Sequence, residues 1–451
     1  MKELKILSPC GILGYGYPRN SFENGLKRKP DLIAVDAGST DAGPHKLGAG
    51  VGIVSRQATK KDLEPMLIAS YEMQIPVIIG SAGGAGAKPH VEWTMDIIKE
   101  IVSDKGLNFK TAVIYADVDK SHVREKIAKN EIKPLGPAPE LTKEALDQTN
   151  NIVGQMGHEP IVMALENGAQ LIVAGRAYDP SVFAAYPIYK GFDSGLAYHL
   201  GKILECGALC AEPGTTKDCI MGYLRDDHFL VEPLNEKRKC YTTSVAAHTL
   251  YEKDHPYHLL GPGFELDLSG CTFEQFKEGI VKVSGSKYLK SERYTIKLEG
   301  AAQIAYRTLV IAGIRDPIMI SNIEEIKGEV IEQVSDYFYE IPNDQYKILF
   351  HLYGKNGVMG PLEPETEVSH ELGIVIEVVA VTQELANTIC AAVRSTLMHF
   401  PYKGRKATAG NLAFLYSPSD IPFGPVYKFT IYHLDFVADP CELFSTKFVD
   451  L

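Results

Sequence analysis

This 451-residue sequence lacks long hydrophobic runs and an excess of positive charge. A membrane-spanning helix needs about 20 consecutive apolar residues, and no run in the chain comes close to that length. An ordinary membrane-spanning helix is therefore excluded. The formal net charge is −11, whereas proteins that bind nucleic acid or anionic membranes present a basic surface. We therefore expect neither nucleic acid nor a membrane among the partners of this protein.

Cysteines are few and scattered. The chain has 8 cysteines and no Cys-x-x-Cys pair, and disulfide frameworks are typical of small secreted domains. The start of the chain also has no charged region followed by the long apolar stretch of a signal peptide. We therefore expect a cytoplasmic protein with reduced thiols. Cys206 and Cys210 lie one helical turn apart, where they form either half of a metal site or two small buried side chains.

Several enzyme signatures are also missing. The chain contains no Walker loop, no nucleophile elbow, no His-Glu-x-x-His zinc motif, no kinase motifs and no EF-hand loop. These absences exclude several classes of enzyme, and they leave the reaction to be inferred from the polar loops described below.

Short apolar runs alternate with helical patterns over residues 1–180. Five runs rich in branched residues predict strands that are buried on both faces. A helix is predicted from Val91 to Val102, where apolar residues recur at spacings of three and four before Gly106. Strands that alternate with helices predict a mostly parallel sheet with flanking helices. The five runs are Leu4–Leu7, Leu32–Val35, Val77–Ile79, Ala112–Tyr115 and Leu171–Ala174.

The rest of the chain predicts a different organisation. Residues 215–335 contain strand-like runs that indicate mixed or antiparallel structure, and residues 336–451 alternate strand and helix patterns over a short span. We therefore predict an α/β domain over residues 1–335 and a smaller C-terminal α+β domain, ferredoxin-like, over residues 336–451. The runs that support these predictions are Cys219–Tyr223, Tyr294–Leu298, Tyr346–Tyr353, Ile374–Val381, Leu385–Leu397 and Val426–Tyr432.

The strongest local signal is a glycine-rich turn over residues 80–90, between the third strand and the helix that follows it. Glycine lets the backbone bring its N–H groups close to a ligand, and a helix N-terminus adds partial positive charge. We therefore expect the loop to bind a carboxylate or phosphate, with His90 available for proton transfer. The alternative is a tight turn that binds nothing. The loop residues predicted to bind substrate are Ser81, Gly83, Gly84, Gly86 and Lys88.

Two further polar loops follow predicted strands. Asp36 follows the second strand, and Arg176 and Asp179 follow the strand that ends at Ala174. Open parallel sheets bind ligands beyond the carboxyl ends of their strands, so we expect these residues to share one rim with the glycine-rich turn. Arg176 offers a planar fork for a carboxylate, and a divalent metal near Asp36 and Asp41 is left open. The alternatives are a loop cap for Asp36 and a structural ion pair between Arg176 and Asp179.

A His/Glu pair follows in the middle of the chain. His248 and Glu252 lie four residues apart, so one face of a helix can carry both. Such a pair can act as a base and the group that orients it, or as two metal ligands. A single pair at this spacing also arises by chance, and the alternative is that neither residue has a catalytic role.

Four segments of the chain form a recognisable series: Cys10–Gly16, Gly83–Gly86, Gly175–Asp179 and Ala247–Glu252. In their order and spacing, over most of residues 1–330, they resemble the acyclic terpene utilisation (AtuA) family. That family is named for a gene cluster that degrades terpenes through CoA thioesters. Its relatives often occur with a small partner protein and with genes for the breakdown of small dicarboxylates or tricarboxylates. The resemblance implies a small carboxylic acid or its CoA thioester as substrate, and the loop Asp36–Gly38 departs from the terpene pattern, which favours a small acid.

We predict that the protein is a lyase. It adds or removes water across a carbon–carbon double bond next to a carboxylate or thioester. A double-bond isomerase needs almost the same groups, because both reactions begin by abstracting an activated proton. A non-catalytic subunit that holds the acid for a partner enzyme is the alternative from another class. We also expect a homo-oligomer, which a small partner subunit can join. The catalytic acid and base are predicted among Asp36, His90, Asp179 and His248.

Overall fold

The computed structural model describes residues 2–38, 43–406 and 409–451, which form twenty strands and thirteen helices. In this described part of the chain, no helix combines the length and the apolarity needed to cross a membrane. The strands are β1 Glu3–Ser8, β2 Leu32–Asp36, β3 Val77–Gly80, β4 Lys110–Ile114, β5 Ile132–Pro134, β6 Asn151–Gly154, β7 Leu171–Ala174, β8 Ile220–Arg225, β9 His228–Pro233, β10 His258–Gly261, β11 Phe264–Asp267, β12 Thr272–Lys277, β13 Ile280–Ser284, β14 Lys287–Lys290, β15 Tyr294–Ile314, β16 Tyr346–Tyr353, β17 Leu372–Ala380, β18 Ala413–Phe414, β19 Asp420–Val437 and β20 Thr446–Asp450. The helices are α1 Arg19–Lys27, α2 Gly43–Ala49, α3 Arg56–Met73, α4 Lys88–Lys105, α5 Lys120–Ala128, α6 Lys143–Gln148, α7 Glu159–Glu166, α8 Asp179–Tyr189, α9 Ser194–Leu204, α10 Thr242–Thr249, α11 Pro317–Ser321, α12 Ile323–Tyr337 and α13 Gln383–His399.

The chain folds into two units. Unit 1 consists of the chain up to Ala302 together with the C-terminal segment Phe429–Leu451, and unit 2 is Gln303–Lys428. This division differs from the predicted one, which placed the boundary between residues 335 and 336. Helix α12 packs its buried apolar face into the core of unit 2, and the last strand, β20, pairs with β4 in unit 1.

Ten strands of unit 1 form one sheet in the order β12-β13-β9-β8-β1-β2-β3-β7-β4-β20. The five strands predicted from the apolar runs are its centre, and all four pairs among them are parallel. The other five pairs are antiparallel. The α/β class is therefore confirmed, but the prediction of a mostly parallel sheet is wrong. After residue 215, strands β8, β9, β12 and β13 extend this sheet, whereas β10, β11 and β14 form a separate three-stranded antiparallel sheet.

The central strands form because both of their faces are covered. Every residue of β2, β3 and β7 is buried, and successive side chains enter opposite cores. Ala34 and Ile78 belong to one core, and Val35 and Ile79 belong to the other. Helix α4 covers the second of these cores and ends, as predicted, at Gly106, whose φ of 64° is left-handed.

Unit 2 follows the order β–α–β–β–α–β, from the end of β15 through α12, β16, β17 and α13 to the start of β19. Strand β17 pairs antiparallel with both β16 and β15. Ile374 and Ile376 of β17 share a core with Val330 of α12 and Val393 of α13. This succession of elements is the one that a ferredoxin-like unit requires, and the assignment to that fold stays a prediction.

The parallel centre of the unit 1 sheet aligns the ends of three strands. Asp36 at the end of β2 is the register partner of Gly80 at the end of β3, and β7 ends beside them at Ala174. The carboxyl ends of parallel strands lie at one edge of a sheet, where open α/β sheets bind ligands. The loops that follow these three strands carry the candidate site.

Candidate functional site

Asp36 lies at the end of β2 with only 2% of its surface exposed. Its Oδ2 accepts a hydrogen bond from the N–H of Gly38 at 2.6 Å, and its Oδ1 has no partner among the described residues. Burial, and then the negative charge of Asp179, raises the pKa of Asp36 to about 8, against the opposing charge of Arg176. At neutral pH Asp36 is therefore mainly a carboxylic acid, and its proton belongs on Oδ1 because Oδ2 already accepts a hydrogen bond.

Arg176 is almost enclosed and holds two carboxylates. Its Nε donates to Oε2 of Glu299 at 3.0 Å. Its Nη1 donates to Oδ1 of Asp179 at 3.1 Å and to Oγ of Ser81 at 3.2 Å. Burial alone would lower the pKa of Arg176, but the carboxylates around it raise the pKa, so the guanidinium stays charged. An arginine holds a carboxylate with two nitrogens at once, and each such pair includes either Nε or Nη1. In Arg176 both of these nitrogens already donate to groups of the protein. The contacts of Arg176 are therefore those of the structural ion pair.

Glu299 completes this network, and the sequence analysis missed it. Its Oε1 lies 2.7 Å from Nζ of Lys297. Burial would raise the pKa of Glu299, but the charges of Arg176 and Lys297 lower it to about 2. The carboxylate therefore stays ionised and fixes the guanidinium. Its position in the middle of a strand carries no sequence signal, because its partner Arg176 is 123 residues away along the chain.

Close packing shapes the glycine-rich loop. Gly84 and Gly86 have φ values of 106° and 67°, a conformation that favours glycine. A Cβ atom at Gly84 would lie 2.1 Å from Cγ1 of Ile53, and one at Gly86 would lie 2.1 Å from the backbone nitrogen of Arg176. Gly83 also has a positive φ and packs against α4. Contacts within the protein therefore explain these glycines, as the tight-turn alternative requires.

Ser81 is the residue of the loop that reaches the charged network. Its side chain is fully buried, and its Oγ accepts hydrogen bonds from Nη1 of Arg176 and from the N–H of Ala177. The hydroxyl also stabilises the charged form of Asp36. The structure thus brings four of the predicted residues together at one edge of the sheet. These are Asp36, Ser81, Arg176 and Asp179.

His90 and Lys88 make their contacts elsewhere. Nε2 of His90 donates to the carbonyl oxygens of Lys46 at 3.1 Å and of Val51 at 3.2 Å. Burial lowers the pKa of His90, and its buried Nδ1 has no partner among the described residues. Lys88 is exposed at the start of α4, where its backbone N–H donates to Asp117. These contacts tie the end of α2, with Lys46, and the segment after it, with Val51, to α4, which is a structural role for His90.

A second group of buried charges adjoins Asp179. Lys202 and Glu205 form an ion pair at the end of α9 and are 3% and 6% exposed. Oε2 of Glu205 is buried without a hydrogen-bond partner among the described residues. Burial raises the pKa of Glu205 to about 7; the charge of Lys202 opposes this shift and that of Asp179 adds to it. The sequence analysis missed this pair, although two charges at a spacing of three beside an apolar helix were a usable signal.

Lys253 approaches the same group from the loop after α10. Its Nζ lies 3.4 Å from the hydroxyl oxygen of Tyr178 and 5.4 Å from the centre of that ring. Burial, and then the positive charge of Lys202, lowers the pKa of Lys253. Lys202 already pairs with Glu205, and the charges of Glu205, Asp179 and Glu252 oppose the lowering of the Lys253 pKa.

His248 lies in this second group, but without its predicted partner. Helix α10 ends at Thr249, and Glu252 lies beyond it with a φ of 59°. The expected shared helix face is therefore not formed. The ring of His248 stacks on Tyr251 at 5.5 Å between centres, and its buried Nε2 has no partner among the described residues. Burial, and then the charge of Lys202, lowers the pKa of His248 to about 4, so the imidazole is neutral.

The described side chains do not assemble a metal site. Among them, no group of three or more His, Cys, Asp or Glu residues is placed to hold a metal ion. Asp41 lies outside the described residues, so a metal near Asp36 and Asp41 stays a prediction. Sγ of Cys210 lies 3.9 Å from Sγ of Cys240, and both side chains are buried, as expected for packed thiols.

The geometry provides a neutral carboxylic acid, a carboxylate fixed by an arginine, and a second polar group with two lysines. Comparison with known proteins adds a family. The model of the family described as acyclic terpene utilisation family protein AtuA matches residues 56–412. This range covers more than half of the chain, extends beyond the resemblance expected over residues 1–330, and begins after the segment Cys10–Gly16. No curated protein and no solved structure matches the chain.

Proposed function

The chain belongs to the AtuA family, and from this membership and the geometry around Asp36 we propose that it is a lyase that adds or removes water across a carbon–carbon double bond. The double bond lies next to the carboxylate or thioester of a small acid or its CoA ester. One observation carries the proposal: a buried carboxylic acid, Asp36, and a carboxylate, Asp179, stand beside the same guanidinium of Arg176. A buried carboxyl group with a raised pKa beside a second carboxyl group is a common form of an acid–base pair.

The two carboxyl groups divide the reaction between them. In the direction of water loss, Asp179 takes the proton from the carbon next to the carboxylate or thioester, and the electrons of that C–H bond form the double bond. The C–O bond breaks as Asp36 delivers the proton of its Oδ1 to the departing hydroxyl, which leaves as water. Addition of water runs through the same steps in reverse. After water loss, solvent returns a proton to Asp36 and removes one from Asp179; after water addition, these two exchanges run in the opposite direction.

Arg176 is a positioning residue in this scheme. Its hydrogen bond to Asp179 orients that side chain, and Glu299 holds the guanidinium from the other side. The charge of Arg176 also stabilises Asp36 once it has given up its proton. Truncation of Arg176 would therefore disturb both members of the pair.

The proposal includes a cytoplasmic protein that forms a homo-oligomer and can take a small partner subunit. A reducing compartment is supported by the eight cysteines, all of which are free thiols. Size-exclusion chromatography with light scattering, on the chain alone and with the partner gene co-expressed, measures both assembly claims. A monomer under both conditions would contradict them.

Isotope labelling tests the reaction. The purified protein is incubated in H₂¹⁸O with crotonate, fumarate, mesaconate and their CoA esters, and the products are analysed by mass spectrometry. The proposal predicts a hydroxy acid or hydroxyacyl ester that carries one ¹⁸O atom. It also predicts that Asp36→Asn lowers the rate at least about 100-fold, whereas Asp96→Asn, on the exposed side of α4, leaves the rate unchanged.

Other outcomes favour the alternative functions. A double bond that moves without uptake of ¹⁸O would identify an isomerase. Substrates that raise the melting temperature of the protein without being converted would identify a binding subunit. Either outcome would contradict the lyase.

A further inference from the structure

Two unpartnered polar atoms mark the second group of charges. Oε2 of Glu205 and Nε2 of His248 belong to side chains that are 6% exposed, and neither atom has a hydrogen-bond partner among the described residues. Glu205 pairs with Lys202, and His248 stacks on Tyr251, whose ring centre lies 5.7 Å from Nζ of Lys202. A buried polar atom without a partner costs stability, and a bound ligand would supply the missing partners.

The charges of this group indicate the sign of that ligand. Lys202 and Lys253 repel each other, and Glu205 neutralises one of them. The polar partner of Lys253 Nζ in the described part of the chain is the neutral hydroxyl of Tyr178. Tyr178 is itself close enough to Glu205 and Lys202 for their charges to act on it. Nζ of Lys253 therefore has a phenol beside it and no ion pair among the described residues, although the charges of Glu205, Asp179 and Glu252 act on it.

We propose that Lys253, Tyr178, Glu205 and His248 form an anion site that binds a carboxylate group of the substrate. The ammonium of Lys253 and the hydroxyl of Tyr178 donate hydrogen bonds to the carboxylate, and Glu205 donates a third from Oε2 in its protonated form. Nε2 of His248 donates a fourth when the proton of its neutral ring lies on that nitrogen. The identification of the bound acid as the substrate rests on the proposed lyase function. It assigns the anchoring role expected of Arg176 to Lys253.

The location of the site suits a substrate that reacts between Asp36 and Asp179. Asp179 accepts a hydrogen bond from Arg176 in one group and directly follows Tyr178, whose hydroxyl oxygen lies 3.4 Å from Nζ of Lys253, in the other, so it adjoins both groups. A molecule whose carboxylate lies at Lys253 can therefore present a neighbouring carbon to Asp179. This placement favours a substrate with a free carboxylate, either a small acid or the free end of a dicarboxylate thioester.

Binding at this site is linked to a proton. At pH 7 the Glu205 carboxyl is divided between its two forms, and a carboxylate ligand favours the protonated form, which donates to it. The complex therefore takes up as much as one proton, and affinity falls as pH rises above 7. The charged and titratable groups that face Glu205 are Lys202 and Cys206 next to it in the chain, Tyr178 and Asp179 at the start of α8, and Lys253 from the loop after α10.

Bromide tests the anion site without knowledge of the substrate. Crystals of the full chain soaked in sodium bromide should show an anomalous peak within hydrogen-bond distance of Nζ of Lys253 and the hydroxyl of Tyr178. Crystals of the Lys253→Gln variant should lack this peak. A wild-type crystal with bromide elsewhere but none at Lys253 would overturn the proposal.

Calorimetry tests the class of anion. Crotonate, fumarate, mesaconate and inorganic phosphate are titrated into wild type, Lys253→Gln and the control Lys99→Gln, which changes an exposed lysine of α4. At least one carboxylate should bind the wild type. The Lys253→Gln substitution should lower the affinity for that carboxylate at least about tenfold, and the control should keep the wild-type affinity. Equal affinity in Lys253→Gln, or binding of phosphate with no carboxylate bound, would overturn the assignment.

The proton linkage gives a second readout. Titrations at pH 7.5, chosen as about half a unit above the pKa of Glu205, in buffers of different ionisation enthalpy should show proton uptake by the wild type. Glutamine supplies an N–H donor without titrating, so Glu205→Gln should bind without proton uptake. If the bromide, calorimetry and proton-uptake experiments fail while ¹⁸O is still incorporated, the anion site is wrong and the lyase proposal stands. If a carboxylate binds at Lys253 but is not converted, the lyase proposal is wrong and the anion site stands.

Discussion

Nε of Arg176 donates a hydrogen bond to Oε2 of Glu299 at 3.0 Å, and both side chains are largely buried. The ion pair joins the loop after β7 to β15. Because Nη1 of the same guanidinium holds Asp179 and Ser81, Arg176 acts as a structural centre for the charged groups at the edge of the sheet. The account of this site depends on that role.

Arg176→Ala should therefore destabilise the protein. The truncation leaves the buried carboxylate of Glu299 with Lys297 as its remaining cation, and breaking a buried ion pair typically costs about 3–5 kcal/mol. Chemical denaturation of the wild type and the variant measures the loss. Arg56→Ala removes an exposed ion pair with Glu100 and should cost less than about 1 kcal/mol. An unchanged stability of Arg176→Ala, with weakened binding of acids, would instead identify Arg176 as the carboxylate anchor.

The stability contributed by Asp36 should fall as pH rises. Its pKa is about 8 in the folded protein, against about 3.9 in an unfolded chain. The folded protein therefore keeps a proton that the unfolded chain releases between these two values. This contribution is fully present below pH about 4 and is lost as pH approaches 8, at up to about 1.4 kcal/mol per pH unit.

Asp36→Asn isolates this effect, because asparagine does not titrate and Glu205 titrates in both proteins. The free energy of unfolding of the wild type relative to the variant should decrease steadily from pH 5 to pH 8. Urea denaturation at intervals of one pH unit measures the difference. A difference that stays constant across this range would contradict a raised pKa for Asp36.

The continuous apolar runs were enough to predict the parallel centre of the sheet, because strands buried on both faces need no polar alternation. The runs could not predict that β8 pairs with β1 across more than 200 residues, since the choice of a strand partner is not local. Asp36, Ser81, Arg176 and Asp179 were found because each follows a strand end. Glu299 and Lys253 were missed because their partners come from distant segments.

Gly86→Ala should cost more stability than Gly106→Ala. Both glycines have a similar left-handed φ, 67° and 64°, which costs a non-glycine residue about 1–2 kcal/mol. A Cβ atom at Gly106 meets open space, whereas one at Gly86 would lie 2.1 Å from the backbone nitrogen of Arg176. We expect a total loss of about 3 kcal/mol or more for Gly86→Ala. Equal losses for the two variants, measured by thermal and chemical denaturation, would show that the loop can move away from Arg176.

His90→Gln distinguishes a structural from a catalytic His90. The glutamine amide can donate to the carbonyls of Lys46 and Val51 in place of Nε2, so most of the stability and the activity should remain. His90→Ala removes the donor and should cost about 1–3 kcal/mol. Steady-state rates and melting temperatures of the two variants test this. A rate that drops about 100-fold or more in a stable His90→Gln protein would restore the predicted proton-transfer role.

The central claim is that Asp36 is the acid that protonates the departing hydroxyl, and the pH dependence of water elimination tests it most directly. The rate constant kcat is measured from pH 5 to pH 9.5 for the wild type, Asp36→Asn and the control Asp96→Asn. The account predicts that the wild-type rate and the control rate fall as pH rises through about 8, where Asp36 loses its proton. Asp36→Asn should be slower by at least about 100-fold and should lack this fall. An Asp36→Asn protein that eliminates water within about tenfold of the wild-type rate, with the same loss of rate near pH 8, would contradict the account.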